Sequence, residues 1–487
     1  MPRTYLLSRR VFLWLLGLVY LVAFASIAVQ ITGLVGEHGL LPAEPFLEWA
    51  GSIYGARAWR LFPTVFWVGA GDVALEVVCW AGVLLAGLLM LGIAPVPVLG
   101  ALWLLYLSLT VVGQNFLSFQ WDVLLLEAGL LAVLWAPLGW KTGGAEPPPS
   151  NGVRWLLVAL LFKLVFLSGV TKLLSGDPTW RALTALDYHF ETQPLPTWPA
   201  WYASHLPHAT HRLAAAAMFL GELVAPLLLF APPRLRALRI GGCAAVALLQ
   251  LGIALTGNYG FFNLLTIVLC VPALDDDLLR RVLPFRVAVR DRPEPRAWRA
   301  IRAVLVPAVL FLSTLSFVAE IAYTLPSRRG LGLGPGRATA LLGWVAPFRS
   351  FNGYGLFRVM TTERPEIVVE GSRDGEHWEA YGFRFKPGPV TRRPGFVAPY
   401  QPRLDWQMWF AALDPMGNAE WLTALARDLE AGTPEVLALL GRNPFAGAPP
   451  RAIRFASYDY RFSTPAERSR TGAWWVRELS GYLPIEP

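Results

Sequence analysis

Two lysines nine residues apart lie in one apolar run, "LLVALLFKLVFLSGVTKLLSG", at positions 163 and 172. Carboxylates occupy two further apolar runs: Asp122 and Glu127 in "QWDVLLLEAGLLAVLW", Glu222 in "MFLGELVAPLLLF". An amine in an apolar setting can do three things. It can pair with a carboxylate and fix helix register, line a proton or ion path, or lose its proton and act as a base. Nine residues turn a helix through half a circle, so Lys163 and Lys172 face opposite ways and cannot serve one site. Lys163 is expected to pair with Glu127 or Glu222. Lys172 is the candidate base; as a structural residue it would snorkel to water or turn toward Asp122, Asn258 or Glu320. Asp122 and Glu127 are five apart, so they meet different neighbours and form no dyad.

These residues belong to a larger polar set in apolar surroundings: Asp72, Gln114, Asn115, Asp122, Glu127, Lys163, Lys172, Glu222, Asn258, Asn263 and Glu320. At 1.5 Å per residue, Glu127, Lys163 and Glu222 fall about ten residues into their runs, near a midplane. The others gather toward one end. Asp72 and Glu76 share a helix face, where two charges would repel, so one is expected to be protonated or paired with a lysine. No assigned catalytic residue, metal or cofactor emerges. The histidines at 189, 205, 208 and 211 are spread through a Pro-rich loop without tight ligand spacing. The three cysteines all lie in apolar runs and outline neither a disulfide framework nor a zinc site.

The elements that position this set are membrane spans. Of 487 residues, 55% are hydrophobic and only 16% charged, against roughly 25% charged in soluble domains. The net charge of +8 sits in short loops beside apolar runs, which is membrane topology rather than a nucleic-acid surface. Nine spans of about 20 residues are expected near 11–33, 64–92, 95–113, 118–140, 154–175, 211–231, 238–257, 259–274 and 301–325. The first has a basic start but is too long for a cleaved signal. The eighth follows the tight "TGNYG" and is read as half of a re-entrant pair. Arg3, Arg9, Arg10, Lys141, Arg154, Arg234, Arg236, Arg239, Arg280, Arg281, Arg286 and Arg290 then fall on one side, the cytoplasmic one. The loops 34–63 and 176–210 and the C-terminus fall outside.

Three parts follow: a helical membrane domain over 1–328, a Gly-rich linker over 329–344, and a soluble extracytoplasmic domain over 345–487. In the last, "PEIVVEGSRDGEHWEAYGFRF" reads as a hairpin about Asp374-Gly375, with alternation at Tyr381, Phe383 and Phe385. "RAIRFASYDYRFS" reads as another strand. "NAEWLTALARDLEAG" and "TPEVLALLG" read as helices, the second capped by Thr433, entered at Pro434 and stopped at Gly441. The expected fold is a mainly α membrane bundle followed by a small β-sandwich-like α+β domain. Within that domain, Arg392, Arg393, Arg403, Asp405, Trp406 and Trp409 have the arginine and aromatic character of a protein-binding patch. The alternative is that Trp406 and Trp409, at i and i+3, belong to its core and that Arg403–Asp405 is a local bridge.

Four stretches carry a family resemblance: "FLSFQWDVLLLEAGLLAVLWAP", "SGDPTWRALTALDYHFETQPLPTW", "TGNYGFFNLLTIVLCVPALDDD" and "FNGYGLFRVMTTERPEIVVEGSRDGEHWEAYGFRFKPG", continued by "RRPGFVAPYQPRLDWQMWFAAL". From about residue 110 to 463 the chain resembles the lipase maturation factor family. The resemblance implies a multi-span protein whose outer domain helps secreted clients such as lipases to fold and assemble, in the endoplasmic reticulum membrane of animals. The Ala-, Leu- and Arg-rich composition points to a bacterial source, hence an inner-membrane protein with a periplasmic domain. Partners would be a secreted client and membrane lipid. A shorter stretch, "FLSGVTKLLSGDPTW", is similar to the segment bearing the catalytic lysine of vitamin K-dependent γ-carboxylases and their bacterial relatives, which places Lys172 at that lysine. It implies the alternative of a membrane enzyme. A transporter is a third reading, but repeated halves are missing from the sequence.

Overall fold

The computed structural model describes residues 4–142, 146–283, 294–325 and 337–485. Among these described residues, seven helices are long and apolar enough to cross a membrane: α1 (Leu6–Ala28), α2 (Asp72–Met90), α3 (Pro95–Val112), α5 (Asn151–Leu174), α6 (His208–Leu228), α7 (Arg236–Thr256) and α9 (Arg296–Thr324). Two expected spans are shorter. These are α4 (Gln120–Trp135) and α8 (Phe262–Val268), the latter extended by a 3₁₀ turn to Ala273. At 16 residues, α4 falls below the roughly 20 residues that cross a bilayer alone. It is nonetheless the centre of the bundle, with 12 of its residues buried. α9, by contrast, is almost wholly unburied along its apolar window. A helix so enclosed cannot leave carboxylates unpaired, which is why Asp122 and Glu127 need partners from the protein.

Hydrogen bonds define two faces of the bundle. On the far face, Ala94 N–H donates to Trp140 O at 2.9 Å and Thr142 N–H to Gly92 O at 2.8 Å, so the chain after α4 returns beside the start of α3. Leu6 N–H donates to Asp276 Oδ2 (3.0 Å) and Arg9 to Glu146 (2.7 Å) on this same face. Arg236 meets Asp275 at 2.7 Å there too. The arginine-rich loops expected on one side therefore share this face, except Arg3, Arg286 and Arg290, which lie outside the described residues. The other face carries the C-terminal domain. The loops 34–63 and 176–210 hold short helices, including Ala43–Tyr54 and Leu186–Thr192. Trp49, Ile53 and Trp59 are exposed, as in an aromatic belt.

Of the expected linker, 329–344, the first half (329–336) lies outside the described residues, and Arg337–Val345 is helical. Beyond it, β1 (Pro365–Ser372), β2 (Trp378–Ala380), β3 (Ala452–Phe462) and β4 (Trp475–Tyr482) form one antiparallel sheet in the order β2-β1-β3-β4. Among the described residues there is one sheet, not the two of a sandwich. The second layer is helical: α10 (Arg403–Leu413) and α11 (Ala419–Ala431) supply it. The hairpin turns at Gly375, whose φ of +82° suits glycine. Its second arm ends at Ala380, short of Tyr381, Phe383 and Phe385, because Gly382 leaves to bridge Arg442. The helix after Thr433 spans only Pro434–Leu437, and the Thr433 side chain makes no cap bond. Apolar packing does not stop at the domain boundary: one continuous core contains Phe24 and Leu124 of the bundle with Tyr354, Trp406 and Phe455 of the C-terminal domain.

Candidate functional site at the seam between bundle and C-terminal domain

The polar set forms ties. Asp122 receives Arg403 at both oxygens, at 2.6 and 2.8 Å, and the Tyr106 hydroxyl at 2.6 Å. Both side chains of the Asp122–Arg403 pair are fully buried. Two parallel N–H···O bonds to a desolvated carboxylate hold strongly and in one orientation. Glu127, 140° around α4, meets Lys163 Nζ at 2.5 Å and the Tyr354 hydroxyl at 2.7 Å. Asn258 satisfies its amide completely: it donates to Leu195 O and Gly395 O and accepts from Val397 and Ala398 N–H. Asn115 O accepts from Gln407 (2.6 Å), and Glu320 pairs with Arg358. The remaining members act within the bundle. Gln114 donates to Leu41 O, Asn263 to Gln250, and Asp72 accepts from Glu37 N–H. The bond from Glu37 N–H, not a lysine, is the partner that faces Asp72.

The candidate protein-binding residues divide in two. Arg392 and Arg393 are exposed. Arg403 and Asp405 are buried: Arg403 is the tie to Asp122, and Asp405 accepts from Phe385 and Lys386 N–H at 2.7 and 2.8 Å. Neither offers a surface to a partner, and the two do not bridge locally. Burial pushes the Asp405 carboxyl above its usual range against those backbone bonds. Trp406 and Trp409 are also buried, but both line a cleft of about 650 Å³ at the seam. Phe119, Trp121, Phe410 and Leu413 line it with them. Trp409 donates to Thr192 O at 2.8 Å, whereas the buried Trp406 indole N–H has no partner among the described residues.

A second cavity, of about 760 Å³, lies below the first, between α5, α6 and α7. Tyr259, Leu356 and Phe357 line both and form the partition between them. Phe357 has φ of +53°, a left-handed conformation that is rare and costly for an aromatic residue and clusters at functional sites. Lys172 lies in this lower cavity and meets Glu222 at 2.6 and 2.8 Å, not Asp122, Asn258 or Glu320. Glu222 sits in a π turn, Leu220–Val224, that interrupts α6. Such turns bulge a helix wall and mark functional positions more often than others. Gly169 opposite allows the approach, since a Cβ there would stand 3.0 Å from the Glu222 Cβ. His189 also lines the cavity, its ring edge-on to Phe357 at 4.8 Å. Burial, then the Lys172 charge, lower its imidazole to about 4, so it is neutral at ordinary pH.

The structure also assembles a group that sequence spacing did not single out. Asp187 Oδ1 lies 2.6 Å from His211 Nδ1 and 3.0 Å from His208 Nδ1, and these atoms could hold a metal ion. The His211 Nε2 faces Ala203 O at 2.8 Å. The i, i+3 spacing of the two histidines at a helix start was the available signal; the third ligand atom comes from a different helix. Burial raises the Asp187 carboxyl, but hydrogen bonds from His208 and His211 outweigh it and leave it below its ordinary value.

The sequence matches two family models: "Lipase maturation factor transmembrane domain" over residues 7–281 and "Lipase maturation factor C-terminal domain" over 350–484. It is similar to lipase maturation factor 2 of rat, 37% identical over 96% of this chain and 81% of that protein. It is also similar to human lipase maturation factor 1, 35% identical over 99% of this chain and 88% of that one. No solved structure matches. Both halves of the chain, and the seam residues that join them, fall within those matches, and the chain belongs to the lipase maturation factor family.

Proposed function

We propose that this protein assists the maturation of secreted clients, lipases among them, by holding their unburied apolar segments in the upper cleft. The observation that carries the reading is the composition of that cleft. Phe119, Trp121, Trp406, Trp409, Phe410 and Leu413 make an aromatic trough at the edge of the bundle. Phe410 and Leu413 are the open ones, 38% and 40% exposed. Large rigid aromatics supply contact area at small entropic cost, which suits a partner that has not yet buried its own core.

In this reading the N-terminus is cytoplasmic and the C-terminal domain extracytoplasmic, periplasmic in a bacterium and lumenal in a eukaryote. The gathering of arginines on the far face supports it. Nine crossings fit as well: α4 and the α8 segment each begin near the C-terminal domain and end among far-face residues, and their neighbours shield their short length. The boundary near residue 345 is then a change of compartment and not a break in the core. The alternative, an enzyme with Lys172 as base, draws on the position of Lys172 in the lower cavity. It is weakened by the contact of Nζ with both Glu222 oxygens, because a base must be free of its proton.

The test uses purified full-length protein and a denatured secreted lipase diluted from denaturant. Leu413→Arg and Phe410→Ala change exposed side chains, so the fold should hold. Both should lower client capture and the yield of active lipase, with Leu413→Arg stronger. Unchanged capture by both variants would overturn the cleft reading.

A further inference from the structure

We propose that the lower cavity binds a neutral membrane lipid that carries a free hydroxyl group, with its tail between α6 and α7 and its hydroxyl on His189. Four observations converge. The first is shape. The cavity holds about 760 Å³ and is lined mostly by Leu, Val, Ala and Phe. Leu220 of α6 and Leu248 of α7 line it and are 62% and 68% exposed on the surface that faces acyl chains. An apolar chain can thus enter sideways from the bilayer. The second is the unfilled hydrogen bond. Tyr259 donates its hydroxyl proton to Gln193 Oε1 at 2.9 Å, so it offers His189 Nε2, at 3.5 Å, only a lone pair. Nε2 then carries the imidazole proton. Nδ1 is left as an acceptor, is buried, and has no partner among the described residues. A buried acceptor of this kind asks for a donor, which a hydroxyl supplies.

The third observation is charge. Lys172 is the one cation among the residues that line the cavity, and both Glu222 oxygens engage it. A phosphate head would find no unpaired cation and would bring a net charge into an apolar space. A neutral head meets neither cost. The fourth is strain. The π turn at Leu220–Val224 and the left-handed Phe357 both line this cavity. Phe357 contacts the His189 ring and separates this cavity from the upper cleft. His189, which would hold the lipid hydroxyl, thus touches Phe357 and Tyr259, two of the three partition residues.

The experiment uses the full-length protein in phosphatidylcholine nanodiscs with three photoreactive probes of matched tail length: a diacylglycerol, a long-chain isoprenoid alcohol and a phosphatidic acid. Labelled residues are mapped by mass spectrometry. One or both alcohols should label α6 and α7 at the cavity, be displaced by the unlabelled alcohol, and exceed the acid by about tenfold or more. Whichever alcohol succeeds names the source, glycerolipid or isoprenoid. His189→Phe keeps an aromatic ring and removes the acceptor; it should lower labelling by about tenfold. Ala217→Trp, at an exposed position of the lining, should block the mouth without disturbing the core and abolish labelling. Equal labelling by the acid overturns the proposal. So does alcohol labelling spread evenly over α9 and the other lipid-facing helices, or labelling that survives Ala217→Trp.

Discussion

The two sides of α5 hold the same ion pair in different settings. Toward α4, Lys163 and Glu127 are enclosed: Ser313 takes a second Lys163 proton, and Tyr354 and Asn352 of the C-terminal domain cover the carboxylate. Toward α6, Lys172 and Glu222 border an open cavity, a π turn and an unpartnered histidine nitrogen. An intramembrane ion pair is therefore not in itself a functional signal. On the α4 side the charges act as a weld, neutralised in place and tied to the domain above. On the α6 side the same chemistry comes with unfilled space. The difference is one of packing, and packing decides which pair has room for a ligand.

The weld should be the costlier side to break. Arg403→Met leaves Asp122 buried with Tyr106 as its remaining strong partner, and should cost about 3–5 kcal/mol in thermal or denaturant unfolding of the detergent-solubilised chain. Asp122→Leu combined with Arg403→Met should recover much of that loss, since an apolar pair of similar volume avoids both desolvation penalties. If the single and double variants unfold alike, the pair does not weld the seam.

The two lysines give the direct contrast. Lys163→Met should cost roughly 2–3 kcal/mol, moderated by the bonds from Tyr354 and Asn352 that still reach Glu127. Lys172→Met should cost about half as much, because water or lipid can enter the cavity beside Glu222. Equal losses, measured as midpoint shifts, would mean that the two sides are equally sealed.

A pH-dependent effect sharpens the hollow side. His189 has its imidazole lowered from an ordinary 6.5 to about 4. Between those values the unfolded chain takes up a proton that the folded chain refuses, so His189 makes stability fall as pH drops from about 6.5 toward 4 and leaves it flat above. The difference between wild type and His189→Phe over that window should be about 1–2 kcal/mol, after allowance for the partial opening of the cavity. Parallel stability curves for the two proteins would show that His189 is not held neutral.

Much of this was legible in the sequence, and the limits were physical. The spans, the basic loops and the hairpin at Asp374-Gly375 rest on local patterns, period and turn chemistry, which a single sequence displays. The family was legible because long stretches such as "FNGYGLFRVMTTERPEIVVEGSRDGEHW" carry their identity in residue type alone. Partners were not. Arg403 lies 281 residues from Asp122, and nothing local marks one for the other. Arg403 and Trp409 looked like surface hot spots because arginine and tryptophan are also the residues that weld interfaces inside a chain. The π turn at Glu222 followed from no propensity signal, and the cavity depends on which side chains are absent.

The central claim is that clients meet the protein at the seam cleft and not at the free edge of the sheet. A photoreactive amino acid placed at Leu413, 40% exposed in the cleft, can be compared with one at Leu479, 46% exposed on β4. Each full-length protein is co-expressed with a secreted lipase, and adducts are captured during its maturation. The expected result is a strong lipase adduct at 413 that fades once the lipase is folded, with little at 479. Adducts at 479 alone, or none at 413 while the lipase still matures, would contradict the account.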